Sequence, residues 1–362
     1  MGIKFEFFEA GCGDSILVST DDGTHILIDG GVKDTYFDSL EDKYEKFKEE
    51  NKKLDLVILT HYDDDHIAGL LELLDAEKRE IFDDEGYEPV IKEVWSNSFD
   101  GADWFEKVSR YDTTSSFQND TFTQFMEDIK HKVDYKDYIS INYEKYLQKN
   151  EVKFIILSPD NTKVKKLYRK ENDNTSSESD AQTYSKDADE SIEYLANKSF
   201  KKSGGFKKES GERRAENGSS IAFILIYKEK KYLFLADAHI PLIIEELSKH
   251  TECFNSRGKI EFEFVKLSHH GSKNNLNQDF LNLIETNNFI VLTNGSTHKH
   301  PDKETLSKII LNMPRKDNDT KINFIFNYSH MVNHNKFTKE ECQDYKFRLI
   351  YSDVFPIKDK NE

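Results

Sequence analysis

Apolar runs and turn residues alternate through the first sixty positions. IKFEFF at 3–8, SILVST at 15–20, THILIDGG at 24–31 and LDLVILTH at 54–61 are rich in β-branched and aromatic residues and bounded by turn formers, which predicts strands. The charged stretch 38–53 predicts a helix between the last two. GLLELLDAEKREIF at 69–82 carries apolar residues at helical spacing, and VIKEVWSNSF at 90–99 returns to strand character. This alternation predicts an α/β chain.

The middle of the chain is less regular. Tyr and Phe recur at loose helical spacing through 100–150, which predicts an inserted helical region, and VKFIILSP at 152–159 predicts a core strand. From 171 to 191 only Ala181, Tyr184 and Ala188 are apolar, too little to form a core, so a flexible segment is expected. Strand character resumes at SSIAFILIY (219–227), YLFLADAH (232–239), EFEFVKLSHH (261–270), FIVLTNGS (289–296), INFIFNY (322–328) and FRLIYSDVF (347–355). PLIIEELSKH (241–250) and DKETLSKIILNM (302–313) are the helical connections. No repeat of 20–50 residues is visible, which disfavours solenoids and propellers. The expected organisation is a first half at 1–99, an insertion at 100–216 and a second half at 217–362.

Composition narrows the function. Across 362 residues, 36% are hydrophobic, 12% aromatic and 33% charged, a polar chain still rich enough in Phe and Tyr to fold. The net charge of −17 opposes sequence-blind binding to phosphate backbones and to anionic membranes. No apolar run approaches the ~20 residues of a membrane span, and the start lacks a basic-then-apolar leader. Cys12, Cys253 and Cys342 are widely spaced and odd in number. A cytoplasmic protein with no membrane contact is expected.

The chemistry concentrates in LVILTHYDDDHIAG. His61, Asp63, Asp65 and His66 lie within six residues, after an apolar strand and before a helix. Asp63, Asp64 and Asp65 would repel one another with no basic neighbour, and a divalent cation would compensate them. An acidic surface turn is the plainer alternative, and it leaves the flanking histidines unexplained.

This pattern resembles the metallo-β-lactamase superfamily, whose HxHxDH signature is matched here by His61, Asp63, Asp65 and His66. The exchange at Asp63 resembles the subgroup containing the metallo-hydrolase domain of bacterial competence DNA-uptake proteins. GCGDSILV, HILIDGG, EVWSNS, VKLSHHGSKNN and THKHP agree with that subgroup in order. The resemblance covers about 3–70 and 217–312 and implies a four-layer αββα sandwich.

It also implies site roles, position by position. His61 and Asp63 would hold one metal, Asp65 and His66 a second, and Asp237 would bridge them. His269 would be a further ligand and His270 would face substrate, with the reverse order open. The family's remaining histidine ligand, expected shortly before SSIAF, is absent, and Glu216 or Asn217 stands there instead. Asp29 would orient ligand histidines and Asp14 would order its loop. Asp65, His270 and His300 are the catalytic candidates, His300 contacting a phosphoryl oxygen or protonating a leaving group.

The implied cofactors are two divalent ions, zinc first, with manganese, iron or magnesium favoured by an oxygen-rich ligand set. Water activated between the two ions would attack a phosphodiester, so the expected function is a phosphodiesterase or nuclease acting on a nucleic acid or nucleotide. The basic cluster Lys201, Lys202, Lys207, Lys208, Arg213 and Arg214 reads equally as a track for phosphates and as a solvated flexible loop. Hydrolysis of small esters, lactones or thioesters is the second expectation. A non-catalytic, metal-stabilised module that binds a protein partner through 100–216 is the third.

Overall fold

The computed structural model describes residues 2–97, 114–141, 146–168, 189–198, 215–333 and 337–357. Two large sheets face one another. The first orders its strands as Val354–Phe355, Ile3–Phe7, Ile16–Thr20, His25–Ile28, Leu56–Ile58, Glu93–Ser96 and Asp134–Asp137; pairing is antiparallel up to His25–Ile28 and parallel beyond it. The second runs Phe347–Tyr351, Ile322–Phe326, Asn288–Val291, Phe264–Lys266, Lys230–Phe234, Ala222–Tyr227, Val152–Ser158 and Tyr146–Lys149. Its first five strands pair in parallel and the rest antiparallel.

Side-chain alternation builds the layers. Ile16 and Val18 enter the core between the sheets while Leu17 faces the helices outside, and Ile26/Ile28 against Leu27 and Leu56/Ile58 against Val57 repeat the division. On the other sheet Phe223 and Leu225 point inward and Ile224 outward. A strand buried on both faces must be apolar at every position, which is why these runs are continuous. Between the sheets Phe5 meets Tyr232 at 4.6 Å and the edge of Phe264 at 4.9 Å. Each such pair adds about 0.5–1.5 kcal/mol beyond its buried area.

Helices cover both outer faces, giving the αββα sandwich expected from the sequence. Asp64–Asp83 and Thr114–Ile129 lie on the first sheet, and Ile240–Lys249 and Lys303–Asn312 on the second. Asp64–Asp83 buries Ile67, Leu70, Leu73, Leu74 and Ile81 and starts with Asp64 and Asp65, which its N-terminal dipole favours. It approaches the first sheet so closely that a Cβ on Gly69 would stand 2.1 Å from the Gly30 carbonyl oxygen. Among the described residues no helix is long and apolar enough to cross a membrane.

Several elements differ from the sequence expectation. The helix expected over 38–53 starts at Lys33, passes through a π-helical turn at Tyr36–Leu40 and ends at Glu49. The helical reading of 100–150 holds for Thr114–Ile129, but Asp134–Asp137 and Tyr146–Lys149 are strands that extend one sheet each. FRLIYSDVF divides into Phe347–Tyr351 and Val354–Phe355, which belong to different sheets. Most of 171–191 and the whole basic cluster 201–214 lie outside the described residues.

Candidate metal centre

Four chain segments meet at one rim of the sandwich, each just past the end of a parallel strand, where open α/β sheets place their chemistry. Leu56–Ile58 leads to the 61–66 turn, Lys230–Phe234 to Asp237, Phe264–Lys266 to His269 and His270, and Asn288–Val291 to His298 and His300. Positive φ marks this rim: Asp29 (56°), Ala236 (43°), His269 (47°) and His270 (54°) all adopt left-handed backbone. Such conformations cost ~1–3 kcal/mol each and persist where surrounding structure enforces them.

The rings of His61 and His66 lie 4.1 Å apart, centroid to centroid and tilted by 49°, and both are buried. His66 donates its Nδ1 proton to Asp29 Oδ2 at 2.8 Å, which leaves Nε2 to face Asp237 Oδ1 at 3.8 Å. Asp29 is fully buried and also accepts the Thr60 backbone N–H and hydroxyl, each at 2.7 Å. His61 Nε2 lies 3.8 Å from Asp63 Oδ2. Asp65 starts the following helix.

The second half of the chain closes the ring. Asp237 turns Oδ1 toward His66 and toward His270 Nε2, 3.9 Å away, and Oδ2 toward His269 Nε2 at 3.7 Å. His270 Nε2 is also 3.7 Å from Asp65 Oδ2, and its Nδ1–H donates to the Leu292 carbonyl at 2.8 Å. His269 lies on the other side of Asp237 beside Asn217, whose Nδ2 is 3.4 Å from His269 Nδ1. Asn217 is fully buried, whereas Glu216, one residue earlier, is half-buried.

Electrostatics at the rim are strongly perturbed. Burial, then the adjacent His66, pushes His61 down to about 3. Burial opposes charge on His66, but Asp29, Asp65 and Asp14 outweigh it and hold its pKa well above the usual range. Burial likewise opposes ionisation of Asp237, yet His269, His270, His66 and His61 keep its carboxyl far below the ordinary value.

Among the described residues, the buried atoms without a hydrogen-bond partner include four that face one another here: His61 Nε2, His66 Nε2, Asp237 Oδ1 and His270 Nε2. Orphaned buried polar atoms are expensive, and four aimed at one space fit a missing partner that is itself a Lewis acid. Two His/Asp groups of metal-binding geometry form here, His61–His66–Asp237 and Asp65–His66–His270. The residues therefore fit divalent cations; imidazole and carboxylate donors do not identify the metal. Cys12, Asp63, Thr293, His298 and His300 complete the cavity wall with Asp65, Asp237, His269 and His270. His300 packs its ring 5.5 Å from that of His269, and burial lowers its pKa.

Lys266 was not legible in the sequence. It ends the strand before His269, is buried, and pairs with the equally buried Asp14. A lone lysine at a strand end reads as solvated, and no local pattern announces this pair.

Among solved structures, similar chains include the metallo-β-lactamase fold protein YhfI from Bacillus subtilis, at 10% identity, 98% coverage of this chain, 99% of that chain and a TM-score of 0.42. A diphosphatase of the PhnP family matches at 10% identity, 98% of each chain and 0.41. A long form RNase Z from yeast matches at 11% identity and 0.36, with all of this chain covering 46% of that one. No curated protein matches. Residues 11–106, which hold Asp14, Asp29 and the 61–66 turn, match the family model of the metallo-β-lactamase superfamily, and the two facing sheets between helices have the sandwich fold of that superfamily.

Proposed function

We propose that this protein is a metal-dependent hydrolase of phosphodiesters. The observation that carries the hydrolase reading is the clustering of four buried atoms without hydrogen-bond partners, His61 Nε2, His66 Nε2, His270 Nε2 and Asp237 Oδ1, beside the polar cavity that Asp237 and His270 line. We assign Asp65, His66 and His270 to one cation and His61 and Asp63 to the other, with Asp237 between them because its two oxygens face different histidines. This reverses the sequence expectation for His269 and His270. Asn217, rather than Glu216, is assigned to the side of His269.

Divalent ions at such a centre lower the pKa of water and neutralise charge on phosphoryl oxygens. The protein's part is to present unprotonated nitrogens. The low pKa of His61 keeps its ring neutral, and the Nδ1–H bonds of His66 and His270 to Asp29 and Leu292 reserve each Nε2 lone pair for the cavity. His300 is neutral at pH 7 because burial lowers its pKa, so we assign it hydrogen-bond donation to a phosphoryl oxygen in preference to proton transfer to the leaving group.

The phosphodiester assignment rests on the resemblance of Asp63, the HHGS segment at 269–272 and the HKHP segment at 298–301 to competence-type metallo-hydrolases. It is tested by turnover of bis(p-nitrophenyl) phosphate, single-stranded and duplex DNA, RNA and a lactone panel after reconstitution with zinc or manganese. Phosphodiester cleavage lost in Asp237→Ala is expected. Activity on lactones alone refutes the substrate assignment, and failure to bind any divalent ion refutes the hydrolase reading.

A further inference from the structure

Lys266 raises a question that fold stability does not answer. Its ammonium is buried at the end of Phe264–Lys266 and contacts Asp14 Oδ2, on a loop from the opposite end of the chain. Buried ion pairs are seldom better for stability than apolar residues of the same volume. What distinguishes this pair is its position. Asp14, Asp29 and His66 present ligand atoms within 4.8 Å of one another, a cluster able to attract a cation, and the Lys266 ammonium is the cation found against it.

Asp14 stands behind two histidines that come from different halves of the chain. Its Oδ2 is 4.0 Å from His66 Nδ1 and its Oδ1 is 3.5 Å from His270 Nδ1, while the protons on those nitrogens are given to Asp29 and to the Leu292 carbonyl. A carboxylate at that distance favours a proton on both Nδ1 atoms, and so favours lone pairs on both Nε2 atoms.

We propose that Lys266 and Asp14 are a positioning pair: Asp14 locks His66 and His270 in the tautomer that can hold a metal, and Lys266 fixes Asp14 and occupies the place where a stray cation would otherwise bind. This rests on the assignment of His66 and His270 as ligands. The loop carrying Asp14 is held tightly enough for the role, because a Cβ on Gly13 would fall 1.5 Å from the Asp65 carbonyl oxygen.

The test uses the full chain with Asp14→Asn and Lys266→Met combined, a near-isosteric replacement that leaves no unpaired buried charge. Two quantities are read: the zinc dissociation constant by chelator competition, and the imidazole 15N shifts of His66 and His270 in metal-free protein. The expected result is a folded variant whose zinc affinity falls roughly 10- to 100-fold and whose His270 no longer shows a single Nδ1–H tautomer. Unchanged affinity and unchanged tautomers overturn the proposal. A variant that fails to fold even with zinc also overturns it, since the pair is then required by the fold and not by the centre. If the unaltered protein binds no metal, the proposed function fails, while the 15N shifts of metal-free protein still decide the role of the pair.

Discussion

Asp29→Asn is the most informative single change at this centre, because it alters protonation with almost no change of shape. Asp29 sits at φ 56°, a conformation asparagine also tolerates, so the backbone is not disturbed. The amide oxygen must stay on the Thr60 backbone N–H, a donor that cannot reverse. The NH2 group then occupies the Oδ2 position, facing the Thr60 hydroxyl, which can rotate to accept, and His66 Nδ1, which donates to that oxygen in the native protein. His66 must either keep a donor against a donor or move its proton to Nε2, the atom facing Asp237.

The first course costs about 1–3 kcal/mol as an unsatisfied buried group. The second removes the lone pair that the proposed metal needs. Relief of the buried carboxylate, whose pKa burial already raises, offsets part of the loss of stability. The expected variant is therefore folded, about 1–3 kcal/mol less stable without metal, and roughly 10- to 100-fold weaker for the ion at His66. Chelator-competition titration beside metal-free denaturant melts measures both. A folded Asp29→Asn protein with native metal affinity would refute the argument that Asp29 sets the His66 tautomer.

Other consequences follow from the same geometry. Gly13→Ala should abolish metal binding, since its Cβ would overlap the Asp65 carbonyl, and a metal titration indistinguishable from the native one would show the loop to be unimportant. Far from the centre, buried Glu77 accepts from the Tyr44 and Tyr87 hydroxyls and the Ile91 N–H, and burial raises its pKa. A carboxyl protonated longer in the folded than in the unfolded state loses stability as pH rises from the ordinary carboxylate value through the raised one. Glu77→Gln should flatten that decline in urea melts, whereas Glu77→Leu should cost about 1–3 kcal/mol by stranding the three donors.

How far the sequence could be read depends on whether each feature is local. The 61–66 turn is legible because its donors are nearly consecutive and follow an apolar strand; Asp237 and His300 each stand just past such a strand, but only the family resemblance singles them out. Asp134–Asp137 and Tyr146–Lys149 carry no strand signal in the sequence, because strands at sheet edges need no apolar alternation, and DYKD and YLQK have none. Glu216 and Asn217 differ by one step of a four-residue helix, and that step decides which faces His269. Lys266 and Asp14 are 252 residues apart, so only the tertiary fold pairs them.

The histidine pair shows why motif order alone cannot assign roles. Adjacent residues in an extended strand point to opposite faces of a sheet, and adjacent residues in a right-handed helix diverge by about 100°. His269 and His270 do neither: with φ at 47° and 54° they form a left-handed turn at the strand end, stabilised by the His269 N–H bond to the Ala236 carbonyl. That turn carries both rings to Asp237 from different sides, one beside Asn217 and one beside Asp65. Substituting them singly therefore separates the two sides of the centre. His270→Ala should weaken the ion held with Asp65 and His66, while His269→Ala should leave that ion bound and impair what lies toward Asn217 and His300.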